Sequence, residues 1–573
     1  MLLSRFWKFH YFGDVAMSVE RILIMSATAI LLAACESGDI NVAPATNVSD
    51  SNNTNITGGG SRANDICSSY TLSGGQVVGG VADGNGNCVY SPAFLDAGNH
   101  LLVDMTVPAL PNGGAHIFEG SVFVGKTYDT NAKMMADGIS EGGDGPTLTI
   151  EAGATLAFQS SADFLIINRG AQIFAVGRED APITFTSVSD VNGTVGPEDV
   201  QQWGGIVING FGITNKCAYT GSIAGGDLAL AGECHVDAEG AAGLDESQYG
   251  GDNNDDSSGR LEYVVVKHTG ATVGNGDELN GISFGGVGRN TIVKNLQMYS
   301  TFDDGIEMFG GAVNFENYVA VYVRDDSIDI DEGWSGTINN ALVIQSAGDG
   351  NHCIEADGIG SFDDLTSGPG GQIEMVISQG INSRPTINNL TCIISPNMTG
   401  THDPGAGWRF REGIFPTVND SMIIGAFAAD ETPGGNDNYC LRIDNRSQQA
   451  ALDGDLVLNS VVIACEEATR GQTFPDGVTT EANFFTGAGN VFATIPSGTA
   501  VDPTAAADPD LQLLEGAPPI YSILQAMAAV DAAPPPAPTS GDFLGALIQA
   551  ADWTANWTYG IHDGNRGEPL WFE

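Results

Sequence analysis

The sequence predicts an all-β fold: a parallel β-helix, a solenoid of stacked coils, with a small C-terminal capping segment. Three observations predict it. Apolar runs recur behind an Asn or its equivalent at a step of about 22 residues, the length of one coil with two or three strands. A second short strand follows each run about ten residues on. Glycine is abundant, 77 of 573 residues. It has no three-residue period, which argues for many tight turns.

The apolar runs are "EYVVVKH" from Glu262, "NLQMYS" from Asn295, "NYVAVYV" from Asn317 and "NALVIQS" from Asn340. "NLTCIIS" from Asn389, "DSMIIGA" from Asp420 and "NSVVIAC" from Asn459 continue the series. Two successive steps are 22 and 23 residues (317−295, 340−317), and later steps lengthen as coils take insertions. The second strands are "GISFGG" from Gly281, "GIEMFGG" from Gly305, "SIDIDEG" from Ser327, "CIEADG" from Cys353, "GWRFREG" from Gly407 and "CLRIDN" from Cys440. A β-sandwich or propeller is the competing fold; those predict periods of about 10 or 40 residues.

Four segments follow from composition. Residues 1–34 form an export signal: Arg21, an apolar stretch and "LAAC" resemble a bacterial lipoprotein signal ending at Cys35, with Met17 as the expected true start. The apolar stretch is too short for a stable spanning helix. Residues 35–64 are a lipidated Cys35 and a flexible Ser/Asn/Thr/Gly tether. Residues 65–493 are the β-helix. Residues 494–573 hold a Pro/Ala linker and the segment expected to cap one end of the solenoid. Glu36 after the lipidated cysteine points to the outer membrane, at the cell surface or the periplasmic face.

The formal net charge is −50. It disfavours nucleic acid, whose phosphates need a cationic face, and favours divalent cations or a salty medium. The eight cysteines beyond Cys35 are even in number, which suits disulfides in an exported chain. Neighbour pairing is the simplest of 105 connectivities: Cys67–Cys88, Cys217–Cys234, Cys353–Cys392 and Cys440–Cys465. No C-x-x-C or histidine cluster supports a zinc site.

"WGGIVINGFG" (203–212), "YGGDNNDDSSGRLEYVVVKHTG" (249–270), "ELNGISFGGVG" (278–288), "DDGIEMFGG" (303–311), "DDSIDIDEGWSG" (325–336) and "FLGALIQAADWTANWTYG" (543–560) resemble a large family. Its members are secreted or lipidated right-handed parallel β-helix proteins of aquatic Gram-negative bacteria, within the pectin-lyase-like superfamily in the broad sense. The resemblance implies the fold and surface exposure. It implies no settled activity.

Equivalent positions of successive coils stack about 4.8 Å apart. Aligning Ile306, Ile328, Ile354 and Leu441 inward places Glu307, Asp329, Glu355 and Arg442 outward in one row. Phe309, Asp331, Asp357 and Asp444 form the next, and Arg409 and Arg411 hold outward positions in the Trp408 coil. Asp303, Asp304, Asp325 and Asp326 enter from the turns. Calcium takes six to eight oxygen ligands, so Asp303, Asp304, Glu307, Asp325, Asp326, Asp329, Asp331 and Asp357 are its candidate ligands. The competing reading makes each Asp a turn cap. Asp329, Glu355, Arg409 and Arg411 are the candidate catalytic residues of a calcium-dependent polysaccharide lyase or a glycoside hydrolase. Phe309 and Trp334 are candidate platforms for a sugar ring.

The leading expectation is an outer-membrane lipoprotein, stabilised by calcium, that binds an extracellular polysaccharide or an outer-membrane protein partner. The enzyme and a structural adhesin are the alternatives.

Overall fold

The fold, known from a computed structural model, is described for residues 66–72, 74–95, 98–239, 247–272, 278–360, 372–395, 405–425, 439–465, 467–493, 537–539, 543–548, 550–565 and 569–571. Cys35 with its signal and tether, and most of the Pro/Ala linker, lie outside these residues.

Strands from successive coils pair in parallel. One sheet contains nine such strands among the described residues, in chain order: Val122–Val124, Leu165–Ile167, Ile206–Asn209, Ile282–Gly285, Ile306–Phe309, Ile328–Asp331, His352–Asp357, Ala406–Arg411 and Leu441–Ile443. The longer strands Gly259–Lys267, Ile292–Tyr299, Asn314–Val321, Thr337–Ile344 and Thr386–Ile394 stack beside it.

Each of these long strands bends at one residue in the left-handed region: Tyr263, Asn295, Asn317, Asn340 and Asn389, with φ between 51° and 63°. Asparagine tolerates that conformation better than other chiral residues. It also stacks. Asn340 Nδ2 donates to Asn317 Oδ1 at 3.1 Å, and Asn317 Nδ2 donates to Asn295 Oδ1 at 2.8 Å. A second ladder runs one residue earlier: Asn459 donates to Asn419, Asn419 to Asn388 and Asn388 to Asn339. The spacing read from the sequence marks the bend at Asn295, Asn317, Asn340, Asn389 and Asp420, and falls one residue short of it at Glu262 and Asn459, where Tyr263 and Ser460 hold the positive φ.

Side chains on either side of the bend fill the interior. Val264, Leu296, Tyr318, Ala341 and Leu390 form one stacked row. They are almost fully buried and belong to one core that runs the length of the solenoid. Cys353 and Cys392 join across this interior, and Trp408 donates its indole N–H to the Cys392 sulfur at 3.2 Å. All four disulfides are the neighbour pairs.

The outward face of the long strands is apolar too, because the C-terminal segment lies on it. Ala546, Leu547, Trp557, Ile561 and Leu570 pack against Val265, Tyr299, Val319, Leu342, Ile344 and Ile393. The segment thus covers the flank of several coils, where the sequence reading placed it over one end. Burial on both faces explains why these strands read as continuous apolar runs. Five short α-helices among the described residues, Asn131–Asp137, Val188–Val191, Gln372–Gln379, Arg446–Asp453 and Glu481–Gly487, sit outside the strand repeat, and the sequence reading missed them.

Candidate metal centre

Register fixes what the nine-stranded sheet shows outward. Phe123, Ile166, Val207, Ser283, Glu307, Asp329, Glu355, Arg409 and Arg442 are cross-strand partners in one continuous row. The row is apolar at its start, acidic in the middle and basic at its end. Its apolar start is covered: Phe123, Ile166 and Val207 pack with Tyr249 and Phe309. Tyr249, with Ala238, belongs to the insertion between Gly212 and Gly250, which is pinned by Cys217–Cys234 and two small hairpins, whereas Phe309 comes from the sheet itself.

In the acidic middle, three groups each bring one ligand atom per residue within 4.8 Å of the others. They are Asp303, Asp304 and Asp325; Asp304, Glu307 and Asp329; and Asp326, His352 and Glu355. Asp304 belongs to two of them, so the first and second groups overlap.

Part of this acid also builds the turns. Asn280 Oδ1 accepts from the Asp304 N–H at 3.1 Å, Asp304 Oδ1 from the Asp326 N–H at 2.9 Å, and Asp326 Oδ1 from the His352 N–H at 2.7 Å. The second Asp of each "DD" pair is thus a cap reaching across coils, as the competing reading expected. One oxygen is spent on each cap, and carboxylates have up to four lone-pair sites to offer.

The electrostatics favour a cation. Burial comes first in raising the pKa of Asp304, Glu307, Asp326 and Asp329 well above the carboxylate range, and neighbouring carboxylates raise it further. Asp303 is pushed up to about 8, by burial and then by Glu239 and Asp325. Crowded carboxylates of this kind hold protons or hold a metal. At the basic end the balance reverses. Burial opposes ionisation of Glu355, but His352, Arg411 and Arg409 outweigh it and hold its pKa below normal. Arg409 Nη1 donates to Glu355 Oε1 at 2.6 Å and Arg411 Nη2 to Glu355 Oε2 at 2.9 Å, while Arg411 Nε bonds Asp357.

Several expected site residues stand elsewhere. Asp331 and Asp357 fall in none of the three groups: Asp331 caps the Glu332 N–H, and Asp357 pairs with Arg411. Phe309 points outward by register but is 8% exposed, its ring 6.1 Å from Tyr249. Trp334 is fully buried, with its indole N–H on the Val313 carbonyl. Neither ring can stack on a sugar, because the insertion covers one and the solenoid interior holds the other. His352 is an addition that the structure brings to the acidic groups; its Nδ1 lies 2.9 Å from Asp326 Oδ1 and 3.9 Å from Glu355 Oε1.

A family model described as a pectate-lyase like beta helix domain matches residues 123–500, about two thirds of the chain and all of the acidic and basic rows. No curated protein and no solved structure matches.

Proposed function

The chain belongs to the pectate-lyase-like β-helix family, and from that premise we propose that it is an envelope protein that holds calcium and binds an acidic polysaccharide through it. Cys35 carries the lipid anchor, and the outer membrane is the site of action. The observation that carries this reading is the set of acidic groups with donor atoms within 4.8 Å. Two of the three supply only carboxylate oxygens, the donor set of a hard cation such as calcium. The Arg409 and Arg442 end of the same row, with Arg411 beside it opposite Asp357, supplies positive charge for the next carboxylates of a polymer lying along the sheet.

Binding is favoured over cleavage by the state of the arginines. An eliminative lyase needs a base near the metal. Burial lowers the proton affinity of Arg411, but Asp357 and Glu355 raise it more, so the net shift is upward. Arg409 is likewise bonded to Glu355. These arginines are anchored cations, suited to holding an anion. Polygalacturonate cast into a native gel tests the reading. The protein should be retarded with calcium and released by chelator. Equal mobility in both gels overturns it, and ultraviolet absorbance from an unsaturated product shifts the assignment to the lyase.

A further inference from the structure

The C-terminal segment and the bend of the long strands enclose an open cavity of about 490 Å³, lined by none of the acidic-row residues. That volume falls within the range of small-molecule sites, about 300–1,000 Å³. Three aromatic rings line it: Tyr263, Trp553 and Trp557. The tryptophans are fixed. Trp553 donates its indole N–H to Ala546 O at 2.9 Å, and Trp557 donates to Trp553 O at 2.8 Å. Tyr263 stands edge-on to Trp557, with ring centroids 5.8 Å apart.

The polar wall is equally specific. Asn295, at the end of the asparagine ladder, accepts from Asn317, and the next bend residue up the stack is Tyr263, which offers no amide. Its own amide N–H group has no protein acceptor among the described residues, and neither has the Tyr263 hydroxyl a partner. The ladder therefore ends in a free donor at the cavity, polarised by the bonds behind it. Tyr263, at φ 51°, is also a bulky ring at a bend position that the other described coils fill with Asn, Asp or Ser. Such strain persists where surrounding structure enforces it, often at ligand sites. Lys294 pairs with Glu316 at 2.6 Å and Glu262 with Arg260 at 2.5 Å, and Glu179 and Asp552 add further carboxylates to the wall.

We propose that this cavity is a saccharide subsite that takes an uncharged sugar ring, distinct from the acidic row. Trp553 and Tyr263, both half-buried, supply flat apolar faces for the C–H face of a pyranose, and Trp557, buried behind them, holds Tyr263 edge-on. Glu262, Glu316 and Asp552 supply acceptors for its hydroxyl protons, and Asn295 and Tyr263 supply donors. An anionic sugar is disfavoured, because carboxylates outnumber Lys294 in the wall.

Titration calorimetry with cellotriose, maltotriose and tri-N-acetylchitotriose tests the subsite. Trigalacturonate is the anionic control. Chelator is present throughout, so the outcome does not depend on a metal in the acidic row. At least one neutral trisaccharide should bind with one-to-one stoichiometry, and trigalacturonate should bind more weakly. Trp553→Ala should weaken binding about tenfold. Tyr263→Phe removes only the hydroxyl and should weaken it a few-fold with an unchanged melting curve. Glu119→Gln, at an exposed position outside both the cavity wall and the acidic row, should bind as wild type does. The proposal is overturned if none of the neutral sugars binds, if trigalacturonate binds as tightly, or if Trp553→Ala and Tyr263→Phe both leave affinity unchanged.

Discussion

Asn317→Ala removes the middle rung of the inner asparagine ladder. Asn317 accepts from Asn340 at 3.1 Å and donates to Asn295 at 2.8 Å. Each lost bond costs about 1 kcal/mol at a half-buried site. Asn317 also holds φ 63°, a conformation that costs an alanine about 1–2 kcal/mol. The sum is about 3 kcal/mol. Asn317→Gly loses the same bonds but relieves the backbone, so it should fall short of wild type by about 2 kcal/mol. Urea denaturation followed by circular dichroism measures both. A double-mutant cycle with Asn295→Ala should return a coupling of about 1 kcal/mol, the worth of the bond they share. An alanine variant within about 0.5 kcal/mol of wild type, or a glycine variant less stable than alanine, refutes the ladder as the source of the bend's stability.

Three further outcomes are expected. Cys353→Ser with Cys392→Ser should cost about 4 kcal/mol, the closure entropy of a 39-residue separation, read from the urea midpoint under oxidising conditions. Cys35→Ser should move the protein from the membrane fraction to the soluble envelope fraction; retention after cleavage elsewhere contradicts the anchor. In chelator, stability should fall as pH rises from about 4 towards 8. Asp303 is pushed up to about 8 in the folded protein, against an ordinary 3.8 in the unfolded chain, so its contribution is full below the unfolded value and lost as pH passes the folded one. The slope is about 1.4 kcal/mol per pH unit for each proton held, and thermal melts at several pH values record it. Calcium should oppose this loss, most strongly at the high end.

The coil repeat was legible because a left-handed bend selects Asn, and a residue type fixed by backbone geometry recurs at the period of the backbone. Ile306, Ile328, Ile354 and Leu441 were readable as interior for the same reason: strand alternation is local. The fates of Phe309 and Trp334 were not, since they depend on an insertion and a turn that the repeat does not encode. Phe309 obeys the alternation, yet Tyr249, sixty residues earlier in the chain, closes over it. Asp331 and Asp357 look like the other acids in sequence. Only cross-coil register shows that Asp357 faces Arg411 and leaves the acidic groups. The cavity at Tyr263 was hidden because it joins residues nearly three hundred positions apart.

Calcium titration by calorimetry tests the central claim most directly, comparing wild type with the Asp304→Asn, Asp329→Asn double variant. Asparagine keeps an acceptor for the Asp326 N–H, so the cap between coils survives while two charges leave the shared groups. The account predicts saturable calcium binding by wild type at neutral pH, and at least a tenfold loss in the variant. Absence of calcium binding by wild type, or equal affinity in the two proteins, would contradict it and leave the acidic row as turn caps beside an anchored arginine cluster.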